Sequence, residues 1–182
     1  MTRIISPEEF RRTIGMFATG VTVVTTAVDD VLHGMTANAF ASVSLDPLLV
    51  LVCVDRQAGM HGLLPRAASF AVTVLSAEQQ AESAFFASPR RPAGRDQFDA
   101  VRWQPAPVSG CPVLSDGVAW LDCRVTETHA GGDHSIFLGE VVELGVLRPD
   151  ADPLLYFAGS YRRLVADHEP APGTPVAPPA SG

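Results

Sequence analysis

The chain has 182 residues, of which 47% are hydrophobic and 18% are charged, and it carries a net charge of −7. This composition is typical of a globular domain with a substantial core and excludes a wholly disordered chain. The acidic balance argues against a nucleic-acid-binding protein, which needs a basic face to neutralise phosphates. All thirteen basic residues are arginines, so chemistry that needs a lysine, such as Schiff-base formation, is excluded as well.

The sequence also argues against metal and membrane roles. The three cysteines, Cys53, Cys111 and Cys123, include no C-x-x-C pair, and the five histidines show no metal-binding spacing, so we predict no metal site. The amino terminus lacks the layout of a signal peptide, and the longest apolar run, residues 47–54, is too short to span a bilayer. We therefore expect a cytoplasmic protein with reduced thiols and no membrane or nucleic-acid partner.

The first predicted element is a helix that begins after Ser6, because Ser6 and Glu9 form a capping box around Pro7. Its apolar stripe contains Phe10, Ile14 and Phe17, and Gly20 ends it. Residues 21–28 are β-branched and predict a strand, which turns at Asp29-Asp30 into the stretch 31–37.

Strands dominate the rest of the chain. A second capping box, Ser76 to Gln79, predicts a helix through about Phe86, and residues 88–117 form a long loop rich in proline, glycine and charge. The arrangement predicts an antiparallel β-barrel or sandwich over residues 1–165, followed by a disordered proline-rich tail over 166–182. The further predicted strands are residues 48–54, 70–75, 118–127, 135–147 and 154–159.

Two stretches carry candidate chemistry. In "GMTANAFASVS", residues 34–44, small residues leave the main chain accessible between hydrogen-bonding side chains, which suits the edge of a flat, heteroatom-rich ligand. The alternative is a plain turn between strands. In "AGGDHSIFLGEV", residues 130–141, Asp133-His134 stands at the mouth of a strand, where a histidine beside a carboxylate can orient or protonate a ligand. The alternative is a solvated turn histidine.

The order and spacing of "ATGVTVVTT", "HGMTANAFASVSLDPLLVLVCV", "FAVTVLSAEQ", "GDHSIFLGEV" and "LLYFAGSYRRL" resemble the short-chain flavin reductases over residues 8–164. These are the reductase components that supply reduced flavin to two-component monooxygenases. The resemblance implies a mainly β, antiparallel Greek-key split β-barrel with a few short helices, which forms a homodimer and binds FMN or FAD near the dimer interface. It further implies hydride transfer from NADH or NADPH to the flavin.

The resemblance also implies roles for individual residues. The T-A-N stretch would follow the isoalloxazine edge, and the S-V-S stretch would help to hold the ribityl phosphate. The end of the next strand would line the cofactor, and His134, supported by Asp133, would stand on the nicotinamide side. The implied flavin contacts are Thr36, Ala37, Asn38, Ala39, Ser42, Val43, Ser44, Cys53, Val54, Asp55 and Gln57.

Two departures from the family pattern concern the phosphate. The family commonly continues with Asn and then Ser or Thr where this chain has Asp55 and Gln57, and Asp55 is a poor neighbour for an anion, although Arg56 could compensate. The family also often has a basic residue where this chain has Gln97. An alternative function is a split barrel that binds flavin, or a related flat cofactor, without turning it over. The G-D-H stretch favours the reductase, because a passive carrier has no use for a nicotinamide-side histidine.

Overall fold

A computed structural model describes residues 3–165 of the chain, and it is built mainly from antiparallel strands. The helices are α1 (Pro7–Ile14), α2 (Gly59–Ala67), α3 (Gln80–Ala87) and a 3₁₀ helix (Gly94–Phe98). The strands are β1 (Thr19–Gly20), β2 (Thr22–Val28), β3 (Val31–Ala37), β4 (Phe40–Leu45), β5 (Leu48–Asp55), β6 (Ser69–Val74), β7 (Trp103–Pro105), β8 (Pro112–Leu114), β9 (Ala119–Gly131), β10 (His134–Val146), β11 (Leu155–Phe157) and β12 (Ser160–Arg162).

The main sheet has seven strands in the order β3-β2-β6-β9-β10-β5-β4. Six of these strands, together with α2, contribute side chains to one buried cluster, so the sheet curves around a shared core. The two edge strands, β3 and β4, follow each other in the chain but do not pair with each other, which leaves the barrel split between them. The predicted split β-barrel is therefore confirmed.

A smaller sheet, β1-β11-β12, forms a second layer. A second buried cluster joins it to the barrel through Val21, Leu75 and Leu154, and Phe86 of α3 packs into the same cluster. Asn38 and Ala39 link β3 to β4. This link lies where the split barrel meets the second layer, since residues of both layers line one groove beside it.

Helix α1 shows the predicted capping box. The Ser6 hydroxyl accepts from the Glu9 amide at 3.1 Å, and the Glu9 carboxylate accepts from the Ser6 amide at 3.3 Å. The helix ends at Ile14 rather than near Gly20, and none of its residues is buried. Its apolar stripe is thus exposed in the single chain, with Phe10 61% and Phe17 69% accessible.

The structure corrects the sequence prediction at several elements. The Ser76–Gln79 box does not open a helix, because Ser76 is held in a β-bridge with Pro153 and α3 begins four residues later. Only half of the box forms, with the Gln79 side chain accepting from the Ser76 amide at 3.1 Å. The predicted loop 88–117 contains the 3₁₀ helix and the β7–β8 hairpin, and the sequence prediction missed α2, β4 and β12.

The predicted disordered tail, residues 166–182, lies outside the described residues. Among residues 3–165, no helix combines the length and apolar character that crossing a membrane requires. The same residues contain no cluster of three or more His, Cys, Asp or Glu side chains suited to a metal ion.

Candidate active site

The T-A-N stretch forms the corner between β3 and β4. Its first two residues are tied into the fold, since the Thr36 hydroxyl donates to the Ser83 carbonyl at 2.7 Å and the Ala37 carbonyl accepts from the Thr22 hydroxyl at 2.7 Å. Asn38 and Ala39 are exposed and lie outside both strands. The corner therefore presents main chain and one amide side chain to solvent.

A groove of about 590 Å³ opens beside this corner. Volumes of this order are ordinary for small-molecule sites. Small residues and aromatic rings share its walls, so a planar ring system can lie against flat surfaces with polar main chain at its edge. We call it the corner groove, and it is lined by Arg11, Ile14, Gly15, Phe17, Thr19, Asn38, Ala39, Phe40, Ala41, Leu51, Cys53, Tyr156 and Gly159.

The S-V-S stretch lies elsewhere. Ser42, Val43 and Ser44 are on β4, an edge strand, and line none of the grooves described here. A bulge in the β4–β5 pairing falls between Ser42 and Ser44. The Ser44 hydroxyl accepts from the Asp46 amide at 3.1 Å, so it is engaged in its own turn.

The residues at the end of β5 face three different surroundings, namely the core and two grooves. Cys53 is half-buried, faces the corner groove and donates its amide to the Ala39 carbonyl at 3.0 Å, while burial raises the pKa of its thiol. Val54 is fully buried in the barrel core, so its side chain is unavailable to a ligand. Asp55 and Gln57 are exposed and line a second groove, and the Asp55 carboxylate accepts from the Gln57 amide at 2.8 Å.

The G-D-H turn joins this same place, because β10 pairs with β5. His134 lies directly opposite Asp55 in the register, and the Asp133 carbonyl accepts from the Arg56 amide at 3.0 Å. His134 Nδ1 is 2.8 Å from the Asp133 carboxylate. That hydrogen bond, and then the charge of the imidazole, lower the pKa of Asp133. The G-D-H turn therefore lies beside the end of β5, and β5 separates it from the T-A-N corner. His134 is not among the residues that line either groove.

The second groove, also of about 590 Å³, contains residues that the sequence analysis did not select. We call it the arginine groove. Arg91 contributes its one cation, and His33 and Gln97 lie beside Arg91 on the wall. Burial, and then the charge of Arg91, lower the pKa of His33 to about 4. The lining residues are His33, Asp55, Gln57, Ala58, Gly59, Ala87, Pro89, Arg91, Pro92, Ala93 and Gln97.

A third, smaller depression connects the two grooves. It shares Asn38 and Tyr156 with the corner groove and Ala87 with the arginine groove. The Ser83 hydroxyl and the Tyr161 hydroxyl, 2.8 Å apart, stand at this depression beside Thr36. The three depressions are therefore neighbours on one surface of the protein.

Sequence reasoning also missed His61, whose Nε2 lies 2.9 Å from the Ser135 hydroxyl next to the G-D-H turn. Its ring meets Phe137 edge-on, with centroids 5.8 Å apart. No local signal marks His61, because the contact joins positions 74 residues apart. Arg91 is one of four arginines in the loop 88–117, and only the fold distinguishes it from Arg90, Arg95 and Arg102, which are exposed.

These contacts fit a flavin. The corner groove offers flat, small-residue walls and main chain for a tricyclic ring, and the arginine groove offers a cation for a phosphate.

The chain is similar to known proteins over most of its length. Residues 14–165 match the family model described as "Flavin reductase like domain". An NADH-dependent FAD reductase of Streptomyces globisporus is 45% identical over 159 residues, which are 87% of this chain and 86% of that protein. The reductase subunit HsaB of a flavin-dependent monooxygenase from Rhodococcus jostii (strain RHA1) is 38% identical over 169 residues, covering 92% of this chain and 84% of that protein.

A solved structure extends the similarity to three dimensions. The NADH:FAD oxidoreductase SgcE6 of Streptomyces globisporus C-1027, in complex with NAD and FAD fragments, superposes with a TM-score of 0.83 at 41% identity, covering 92% of this chain and 100% of that one. The chain belongs to the flavin reductase-like family.

Proposed function

We propose that this protein is a flavin reductase that transfers hydride from NADH to FAD or FMN and passes the reduced flavin to a separate monooxygenase. The observation that carries the proposal is the register of β5 against β10, which sets His134 opposite Asp55 at the end of the strand that lines the corner groove. A ring in that groove and a nicotinamide beside His134 would be neighbours. The NADH-dependent FAD reductase and the NADH:FAD oxidoreductase named above support the use of NADH and flavin.

The protein's part in the reaction is to bind, orient and exclude water. Bound flavin supplies the electronic chemistry, because its N5 atom accepts the hydride from C4 of the nicotinamide. Asn38 and Ala39 give main-chain and amide contacts to the ring edge, and Cys53 closes the floor of the groove. His134, oriented by Asp133, holds the nicotinamide. Holding the two rings at contact distance is the main source of rate acceleration.

The release of reduced flavin to a partner requires only moderate affinity. The corner groove is open and lined by small, aliphatic and aromatic residues, with Arg11 as the one charged residue in its lining. Such a site binds a flat ring without locking it in place. This supports exchange of the flavin with a monooxygenase, the type of assembly that the name of the HsaB relative states for that protein.

We further propose a homodimer. The exposed stripe of α1 and the β4–β5 hairpin carry large apolar side chains on the surface, and both elements line the corner groove. Contiguous exposed apolar surface marks an interaction site. A second copy of the chain would cover this apolar face, which comprises Phe10, Ile14, Phe17, Val43, Leu45 and Leu48.

We place the protein in the cytoplasm, because Cys53, Cys111 and Cys123 are all free thiols in the described chain. Unpaired cysteines are typical of a reducing compartment.

The decisive experiment follows the absorbance of NADH at 340 nm under air, with and without added FAD or FMN. A reductase consumes NADH only when flavin is supplied, and it continues until NADH is exhausted because oxygen reoxidises the released flavin. A non-catalytic flavin carrier would quench flavin fluorescence yet leave NADH intact. That second result would establish the alternative function and overturn the reductase.

A further inference from the structure

We propose that Arg91 is the residue that binds the flavin's phosphate, namely the monoester of FMN or the corresponding pyrophosphate of FAD, within the arginine groove. The proposal rests on the proposed function, since it assigns one end of the ligand whose ring lies in the corner groove. It assigns the phosphate to a residue outside the T-A-N, S-V-S and G-D-H stretches.

Arg91 differs from the other arginines of its loop. Arg90 and Arg95 are exposed, and Arg95 lies over the ring of Trp103 at 5.8 Å. Arg91 is partly buried, with its Nη1 donating to the Ser88 carbonyl at 2.7 Å. Its Nε is buried and has no hydrogen-bond partner in the described chain. The protein thus leaves this guanidinium incompletely hydrogen-bonded, and Arg91 lines the groove. A guanidinium in such a position is suited to an oxyanion, because phosphate oxygens accept several charge-assisted hydrogen bonds.

The contacts of His33 with Arg91 and Gln97 leave one of these two donors without an acceptor. Arg91 Nη2 lies 3.3 Å from His33 Nε2, and Gln97 Nε2 lies 3.3 Å from His33 Nδ1. The orientation of the Gln97 amide follows from its oxygen, which accepts from the Gly34 amide at 3.1 Å. Both nitrogens of His33 therefore face groups that can only donate.

A neutral imidazole accepts at one nitrogen only, so one of these two contacts cannot be a hydrogen bond. A protonated ring would accept at neither, which agrees with a pKa for His33 of about 4. His33 is thus neutral at physiological pH and adds no charge to compete with Arg91. An anion in the groove would take up the donors of Arg91 and remove this mismatch.

The opposite wall of the groove also favours an anion. Ala58 and Gly59 begin α2, and no side chain caps this helix end, where the helix dipole is positive. A Cβ on Gly59 would lie 3.3 Å from His33 Cε1, so glycine at this position keeps the space between the helix and the imidazole open. Asp55 is the one acidic residue of the lining, and its carboxylate is engaged with the Gln57 amide.

The position of the groove indicates which phosphate it would hold. Cys53 lines the corner groove and Asp55 lines the arginine groove, two residues apart on one strand. Ser44 pairs with Leu49, six residues before Asp55, and therefore lies roughly 20 Å away along the sheet. A phosphate at Arg91 and a phosphate at the S-V-S stretch of the same chain are therefore separate sites, and the arginine groove is the one with a cation.

The test compares riboflavin, which lacks the phosphate, with FMN by flavin fluorescence in the absence of NADH. In Arg91→Gln the dissociation constant for FMN should rise by about ten- to a hundredfold, the size of one lost charge-assisted contact, while that for riboflavin stays within about twofold. Arg90→Gln, a neighbouring exposed arginine, is the matched control and should bind both compounds as the wild type does. Arg91→Lys should lie between, because it keeps the charge without the planar fork.

An unchanged FMN affinity in Arg91→Gln would overturn the proposal, and an equal loss for riboflavin would show that Arg91 is only structural. A second measurement needs no variant: inorganic phosphate should weaken the binding of FMN to the wild-type protein and leave riboflavin unaffected. Equal effects on both compounds would also overturn the proposal. Failure of the reductase function is distinguished by NADH consumption, since riboflavin retains the reactive ring and should still be reduced by Arg91→Gln.

Discussion

At the scale of single residues, the hydrogen bond between His134 and Asp133 determines which nitrogen of the imidazole is available to a ligand. Nδ1 donates to the carboxylate, so Nε2 is the ring nitrogen left for a hydrogen bond with the carboxamide of the nicotinamide. Hydride transfer itself needs no acid or base at this position. His134→Ala should therefore raise the KM for NADH by about five- to tenfold, the value of one hydrogen bond, with a smaller fall in kcat.

Steady-state kinetics with varied NADH at saturating flavin measure the effects on KM and on kcat separately. His129→Ala is a suitable control, since His129 is on the same hairpin and its ring is exposed beside Glu127. Unchanged KM and kcat in His134→Ala would remove His134 from the site.

A second prediction at this scale concerns the pH dependence of stability. The pKa of His33 in the folded state is about 4, below the ordinary value of 6.5. Between these two values the unfolded chain binds a proton that the folded chain does not, so stability must fall as the pH drops from about 6.5 to 4. His33→Gln removes this proton and should flatten that part of the profile. Urea midpoints at pH 7, 5.5 and 4.5 would show it, and parallel profiles for both proteins would contradict the assignment.

At the scale of elements, α2 illustrates why local sequence is a poor guide to some helices. It contains Gly59, Gly62 and Pro65, so its intrinsic helix propensity is low. Met60 and Leu64 are fully buried in the barrel core, and this packing, contributed by distant strands, stabilises the helix.

Two substitutions in α2 should change the free energy of unfolding in opposite directions. Leu64→Ala should reduce the free energy of unfolding by about 2–5 kcal/mol, because it leaves a cavity in the main core. Gly62→Ala on the same helix should increase it by up to about 1 kcal/mol, since a Cβ there meets nothing within 4 Å. Chemical denaturation of both variants gives the comparison, and a loss in Gly62→Ala similar to that of Leu64→Ala would be inconsistent with the described helix.

The difference between local patterns and long-range contacts explains which features the sequence could predict. Strands such as β2 and β5 are continuous apolar or β-branched runs, and the capping box of α1 lies within four residues, so both were predicted. The T-A-N and G-D-H stretches were found as separate local patterns. Their placement on the two sides of β5 follows only from the sheet order and the β5–β10 register. The arginine groove depends on contacts between residues that are separated by 58 and by 64 positions in the chain. Such long-range pairings leave no local pattern.

At the scale of the whole molecule, the candidate site follows the seam of the fold. The corner groove lies between the split of the barrel and the second layer, and the arginine groove lies between the β5–α2 turn and the long loop. Each groove is therefore lined by residues from several elements that are distant in the sequence. Helix α1 supplies one wall of the corner groove. The apolar face adjoins the site at this wall.

A homodimer formed through this face makes the ring site depend on assembly. Leu45 is 87% exposed on the edge strand β4, and placing a charge there should disfavour any apolar interface. In sedimentation experiments the wild type should have twice the mass of one chain, and Leu45→Glu should shift towards one chain with weaker FAD binding. Val31→Glu is the control, because Val31 is an exposed apolar residue outside the apolar face. A wild-type protein that sediments as a single chain and still binds FAD would show that one chain completes the site.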